Sequence, residues 1–142
     1  IPSESVPEIK AGGHFITKDG EQIPHKELTR SAQKSRSFAF CSDTTYHEEI
    51  IPQIKGVDIL YHEATFLDEL KDRAKQTMHS TAKEAATIAK KAQVGRLIIG
   101  HYSQRYFDLK PLLEEACSVF PDTLLAIEGE MHPVKRSYEI DS

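Results

Sequence analysis

Short apolar segments of strand type alternate with amphipathic helical segments along most of this 142-residue chain. Strand patterns are predicted at residues 38–42, 58–62, 96–100 and 124–128, and helical patterns at 46–54, 67–75, 81–93 and 109–120. Alternation of this kind predicts an α/β fold built on a layered sheet.

The first part of the chain has a different character. Three prolines, a Gly12-Gly13 pair and an Asp19-Gly20 turn signal interrupt its short apolar stretches. We therefore predict that residues 1–36 form an extended arm and a hairpin, and that they lead into an α/β domain at residues 37–142.

The helical pattern at residues 81–93 carries the clearest local signals. Ser80 or Thr81 can cap its N-terminus, and Glu84 stands three residues after Thr81, as in a capping box. Ala85, Ile88 and Ala89 form one apolar stripe, which predicts a helix packed on the sheet.

Composition limits the class of protein. With 39% apolar and 28% charged residues, a chain of this length fits a globular protein with one core. The net charge of −4 and the pI near 6.0 argue against a nucleic-acid binder that works through overall charge, because such domains usually have a pI above about 9. Any contact with RNA must therefore be local.

Cysteine usage and hydropathy bear on the compartment. Cys41 and Cys117 lie far apart and form no CxxC pair, which favours a reducing environment over a disulfide scaffold. No apolar run reaches the roughly 18 residues of a membrane span, and no signal sequence is evident. We therefore predict a cytoplasmic protein. Because the chain starts with Ile1 rather than Met, we also expect it to be a piece of something longer.

Metal-capable side chains follow three of the predicted strands. Asp43 comes after the first, His62 and Glu63 after the second, and His101 after the third. Ligands gather at this edge of α/β sheets, and carboxylate and imidazole groups suit zinc. Each residue alone would more often be a structural one, but their joint occurrence favours a site. Two ligands do not complete one, since a catalytic zinc usually takes three from the protein.

Two further residues have open interpretations. His79 lies just ahead of the capped helix, where an imidazolium near the positive end of the helix dipole needs a compensating carboxylate, and Glu63 could supply it. Alternatively, His79 only caps the turn. Arg105 follows His101 closely enough to hold a phosphate through paired N–H donors, although a structural salt bridge explains it equally well.

At these residues the chain resembles a known family. Four segments resemble, in order and spacing, successive motifs of the ribonuclease Z family within the metallo-β-lactamase superfamily: Phe40-Cys-Ser-Asp-Thr44, His62-Glu-Ala-Thr65, His79-Ser-Thr81 and Gly100-His-Tyr-Ser-Gln-Arg-Tyr106. The combination of His-Glu-Ala-Thr with His-Ser-Thr is highly specific to that family. The resemblance covers roughly residues 10–129.

The resemblance implies a zinc-dependent endoribonuclease that removes 3′ trailers from precursor tRNA. By this resemblance, Asp43 matches the carboxylate that bridges two zinc ions and His101 matches a ligand of one of them. His79 matches the histidine that transfers a proton to the leaving group, and Glu63 matches its acidic partner. Arg105 is the candidate contact for a substrate phosphate.

One family motif is absent: no His-x-His-x-Asp-His sequence occurs in these 142 residues. We therefore expect the chain to be the C-terminal half of a metallo-β-lactamase αββα sandwich, one sheet layer with its flanking helices, and to be inactive by itself. The resemblance also implies a homodimer for the intact protein. Two alternatives remain, a phosphodiesterase of the same fold with another substrate and a non-catalytic binding module.

Overall fold

The computed structural model describes residues 1–136. The chain forms two compact units, Ile1–Ser35 and Arg36–Ser142. The last six residues of the predicted 37–142 domain lie outside the described residues.

The first unit contains a short hairpin and short helical segments. In chain order these are a 3-10 turn at Ser3–Ser5, α1 (Val6–Lys10), β1 (Phe15–Ile16), β2 (Gln22–Ile23) and α2 (His25–Leu28). The hairpin prediction is confirmed, since β1 and β2 pair antiparallel around the Asp19-Gly20 turn. The extended arm is wrong for residues 6–10: Pro7 lies in the first turn of α1, where its fixed φ fits a helix and its missing N–H costs no hydrogen bond.

The second unit is built on a four-stranded parallel sheet. Its strands, in spatial and chain order, are β3 (Phe38–Cys41), β4 (Ile59–Glu63), β5 (Arg96–Gly100) and β6 (Thr123–Leu125). The register places Phe40 opposite Tyr61, and Tyr61 opposite Ile98. All four predicted strands and the predicted α/β class are confirmed, although β6 ends three residues earlier than expected.

Helices connect the parallel strands. They are α3 (Ile51–Ile54), α4 (Lys71–Gln76), α5 (Ala82–Ala92) and α6 (Lys110–Val119), with 3-10 turns at Glu48–Ile50 and Asp68–Leu70 ahead of α3 and α4. The helix predicted at 46–54 is wrong in its first part. Pro52 cannot donate to the carbonyl four residues earlier, so the α-helix starts only at Ile51.

The capping box on α5 is confirmed. Thr81 is the N-cap: its hydroxyl accepts from the Glu84 amide, and the Glu84 carboxylate accepts from the Thr81 amide. The predicted stripe of Ala85, Ile88 and Ala89 is fully buried. None of the helices within residues 1–136 has the length and apolar character needed to cross a membrane.

The core lies between α5, α6 and one face of the sheet. Leu60, Leu97 and Ile99 point from the strands into a cluster with Ile88 of α5 and Leu112 of α6, and all five are fully buried. The small side chains along the buried face of α5 allow that helix to lie close to the sheet. The packing of α5 and α6 on this face therefore holds the strands, and with them the strand ends, in position.

The opposite face of the sheet is apolar and partly open: Ile59 and Ile98 on the central strands are buried, whereas residues on the edge strands are exposed. Phe40 stacks on Tyr61 with ring centroids 4.6 Å apart, yet Phe40 remains 65% exposed. Phe38 and Leu124 on the same face are also exposed. Parallel sheets are normally covered on both faces, so this surface has the character of one that packs against a second layer.

We predict that the 142-residue chain self-associates through this open face and binds a hydrophobic dye. Phe40→Ser should weaken both effects, because it removes the most exposed aromatic ring of the sheet. Phe107→Ser is the matched control, since Phe107 is 100% exposed and lies outside the sheet. Sedimentation and dye fluorescence measure the two effects, and a monodisperse, dye-free monomer at high concentration would contradict the prediction.

Candidate metal centre

The carboxyl ends of three neighbouring strands bring the metal-capable residues together. Asp43 follows β3, Glu63 ends β4 and His101 follows β5, so all three lie at one edge of the parallel sheet. The Asp43 Oδ1 to His101 Nε2 distance is 3.1 Å. One ligand-capable atom from each of Asp43, His79 and His101 lies within 4.8 Å of the others.

Each of the three chain segments that carry Asp43, His79 and His101 contains a residue with a left-handed backbone conformation. The φ angles are 50° at Asp43, 59° at His101 and 61° at Met78, the residue before His79. For residues other than glycine this region costs on the order of 1 kcal/mol, less for Asp, and such strain concentrates at functional sites. After His101, the Tyr102 hydroxyl donates to the carbonyl of Ile99 at 2.6 Å and fixes the turn. Burial raises the pKa of Tyr102 to about 12.

The Glu63 carboxylate is fully buried beneath this cluster and accepts four hydrogen bonds. Its Oε1 accepts from the Thr44 amide and from His79 Nδ1, both at 2.8 Å. Its Oε2 accepts from the Thr65 hydroxyl at 2.6 Å and from the Ser80 amide at 3.1 Å. Four donors satisfy the lone pairs of an ionised carboxylate, which explains how a charge is tolerated at this depth.

Ser80 ties the segment of His79 to the segment of Asp43. Its hydroxyl donates to the carbonyl of Thr44 at 2.6 Å, while its amide donates to Glu63. Thr81, the next residue, caps α5 and also donates its hydroxyl to Asp68 at 3.0 Å. The start of α5 therefore holds the loop that carries His79.

His79 does not cap α5, because Thr81 does so. Instead its Nδ1 donates to Glu63, and its imidazole lies beside that of His101 with ring centroids 5.2 Å apart. The rings of His79 and Phe66 meet edge to face, with their centroids 6.4 Å apart. This arrangement leaves Nε2 as the atom of His79 that is free to bind a metal or to transfer a proton.

Arg105 is exposed and lies over the ring of Phe66, with its guanidinium carbon 5.2 Å from the ring centroid. Its Nε is 3.3 Å from the Ser103 hydroxyl. Within residues 1–136 no carboxylate forms an ion pair with Arg105, so the salt-bridge interpretation has no support there. The Tyr106 hydroxyl accepts from the Leu67 amide at 2.9 Å and anchors this loop.

His62, which precedes Glu63, is not part of the cluster. Its side chain is fully buried, its Nδ1 donates to the Glu63 carbonyl at 2.8 Å, and its Nε2 has no partner among the described residues. Burial lowers the pKa of His62 and keeps the imidazole neutral. The sequence grouped it with the metal-capable residues because it also lies at a strand end, although only Asp43 and His101 were predicted as ligands.

Sequence analysis missed the donors that organise Glu63. Thr44, Thr65 and Ser80 belong to the same short motifs as Asp43 and His79, and that adjacency was the available signal. Two of the four donors are backbone amides, for which side-chain identity gives no indication.

The residues present fit a transition-metal ion. A carboxylate oxygen and an imidazole nitrogen 3.1 Å apart can both lie at about 2.0–2.2 Å from one ion. The Thr65 hydroxyl, 3.0 Å from His101 Nδ1, provides the hydrogen-bonding partner that metal-bound histidines usually have.

Comparison with known proteins places this fold in one superfamily. A profile of the β-lactamase superfamily domain matches residues 27–102, which is more than half of the chain. The chain therefore belongs to the β-lactamase superfamily. Its fold resembles that of the metallo-β-lactamase fold protein YhfI from Bacillus subtilis, with a TM-score of 0.63 and 27% identity over 68% of this chain and 39% of that one. The predicted metallo-β-lactamase fold is confirmed.

Within the superfamily, curated relatives that this chain resembles are named ribonuclease Z. The protein from Parabacteroides distasonis is 55% identical over 129 residues, 91% of this chain and 42% of that protein. That from Cytophaga hutchinsonii is 59% identical over 104 residues, 73% of this chain and 33% of that protein. The resemblance predicted from the motifs is confirmed, and the chain spans about two fifths of the Parabacteroides protein.

We predict that Glu63→Gln lowers the free energy of unfolding by about 1–3 kcal/mol, because an amide NH₂ would face donors that now point at a carboxylate oxygen. Glu69→Gln is the control: Glu69 is exposed, so its loss of charge should change stability by less than about 0.5 kcal/mol. Urea unfolding followed by circular dichroism measures both. Equal stability of the two variants would show that Glu63 does not organise the site.

Proposed function

We propose that the protein containing this chain is a zinc-dependent endoribonuclease that removes 3′ trailers from precursor tRNA. The observation that carries the proposal is the cluster of Asp43, His79 and His101 over the buried Glu63. The identity of 55% to a protein named ribonuclease Z points in the same direction. Because this chain spans about two fifths of that relative, the activity is proposed for the protein as a whole.

In this proposal Asp43 and His101 are zinc ligands. Asp43 has two carboxylate oxygens and can serve two ions, whereas His101 serves one through Nε2. When bound, a pair of zinc ions lowers the pKa of a water molecule and offsets charge on the phosphate. A catalytic zinc usually has three protein ligands, so Asp43 and His101 alone do not complete the set for either ion.

His79 is the proposed proton donor. Cleavage joins a water oxygen to phosphorus and breaks the bond to the 3′ oxygen of the tRNA, which then needs a proton. With Nδ1–H bonded to Glu63, the imidazole presents Nε2 to that oxygen as the proton donor. The products carry a 3′ hydroxyl on the tRNA and a 5′ phosphate on the trailer.

Arg105 is the proposed contact for a substrate phosphate. Its guanidinium is exposed and presents parallel N–H donors, and its stacking on Phe66 holds it on the ring that also contacts His79. Because the chain has a net charge of −4, a local cation of this kind is what a polyanionic substrate requires. The partner in this proposal is precursor tRNA.

The proposal extends to a homodimer in the cytoplasm, as the resemblance to the ribonuclease Z family implies. Cys41 and Cys117 are both free thiols, which suits a reducing compartment.

We predict that Asp43→Ala abolishes cleavage of precursor tRNA and lowers the zinc content, because it removes the carboxylate proposed to serve both ions. Asp72→Ala, at an exposed position on α4, is the matched control and should retain both properties. Activity is measured on precursor tRNA and on a small chromogenic phosphodiester. Cleavage of the small substrate alone would favour a phosphodiesterase with another substrate, and full activity of Asp43→Ala would remove Asp43 from the site.

We predict that His79→Ala slows cleavage by about 10²–10⁴-fold, the usual contribution of a positioned acid, without changing the zinc content. His47→Ala, at a histidine outside the cluster, should match the wild type. Loss of a zinc ion in His79→Ala would instead identify His79 as a ligand.

A further inference from the structure

The Thr65 hydroxyl lies between two groups of the candidate site. Its Oγ1 is 2.6 Å from Glu63 Oε2 and 3.0 Å from His101 Nδ1, and the residue is buried. A hydroxyl carries one proton, and an ionised carboxylate can only accept. The proton of Thr65 therefore goes to Glu63, and Oγ1 must accept a hydrogen bond from His101.

This direction fixes the tautomer of His101. If Oγ1 accepts, Nδ1 of His101 carries the hydrogen, and in the neutral imidazole Nε2 then has a free lone pair. Nε2 is the atom that faces Asp43 Oδ1 at 3.1 Å. The Nε2 lone pair and the Asp43 oxygen repel each other at that distance unless a cation lies between them. The tautomer that can donate to Thr65 is therefore also the one that can bind a metal through Nε2.

The other tautomer would suit a site without metal. A hydrogen on Nε2 would bond to Asp43, but it would set the lone pair of Nδ1 against the lone pairs of Thr65 Oγ1. When the imidazole is neutral, Thr65 therefore opposes the hydrogen bond between His101 and Asp43 that would close the site to a metal ion.

The backbone of Thr65 is fixed by the segments that carry both histidines. Its amide donates to the carbonyl of Ser80, next to His79, and its carbonyl accepts from the amide of Ser103, two residues after His101; both distances are 3.0 Å. A β-branched side chain also has restricted χ1 rotation. The hydroxyl is thus held at a set position relative to both imidazoles.

From these contacts we infer that Thr65 is a positioning residue, which holds His101 in the Nδ1–H tautomer and so presents Nε2 to a metal ion. It also joins His101 to the Glu63–His79 pair through one continuous chain of hydrogen bonds. The inference rests on the proposed function in taking His101 as a metal ligand.

The test compares three variants of the protein containing this chain. Thr65→Val keeps the shape and removes the hydroxyl, whereas Thr65→Ser keeps the hydroxyl. Thr123→Val is the control, because Thr123 is equally buried and its hydroxyl bonds to the carbonyl of Phe120, away from the site. Imidazole nitrogen NMR of the metal-free protein, at a pH where the ring is neutral, reports the tautomer of His101. Competition with a chelator gives the zinc dissociation constant.

We expect the Nδ1–H tautomer in the wild type, in Thr65→Ser and in Thr123→Val, and its loss in Thr65→Val. Zinc binding should weaken about 10–100-fold in Thr65→Val, the usual effect of losing a partner of a metal-bound histidine, and Thr65→Ser should recover most of it.

An unchanged tautomer and zinc affinity in Thr65→Val would overturn the inference, and so would equal losses in Thr65→Ser or Thr123→Val. Neither readout involves RNA. A wild-type protein that leaves precursor tRNA uncut would therefore contradict the proposed function while the role of Thr65 was still decided by the tautomer and the zinc affinity.

Discussion

A carboxylate removed from water must be given hydrogen-bond donors, and Glu63 takes its four from three separate segments of the chain. Without them a buried charge would cost several kcal/mol. The segment after β3 contributes the amide of Thr44, the segment before α5 contributes His79 and Ser80, and Thr65 completes the set. Because satisfying one carboxylate requires these segments to meet, the same requirement brings the segments of Asp43 and His79 together, and the Thr65 hydroxyl joins His101 to them.

Most of the second unit follows from patterns that are visible in the sequence. The strands are short apolar runs, and the helix at Ala82–Ala92 has a capping box and an apolar stripe, so local and tertiary preferences agree there. The errors in the helix predictions occur at two prolines, one in each unit, that act in different ways. Pro7 begins a helix in a segment expected to be extended, and Pro52 delays a helix expected to begin at residue 46.

The candidate site was only partly predictable, for a physical reason. That Asp43, Glu63 and His101 share an edge follows from parallel strands, whose carboxyl ends lie side by side. Strand position alone does not separate His62 from Glu63, and only the resemblance to the family assigned Glu63 to the site. Only the three-dimensional structure shows that His62 lies away from the cluster and that backbone amides complete the environment of Glu63.

The left-handed backbone at Asp43 and His101 sets stability against function in this chain. Glycine adopts these φ angles without steric cost, so glycine would relieve strain on the order of 1 kcal/mol at His101, and less at Asp43, while deleting a metal-capable side chain. Selection of variants for thermal resistance alone would thus favour replacing the residues on which the site depends. A stabilised form of this protein would have to gain its stability elsewhere, for instance on the exposed surface of its helices.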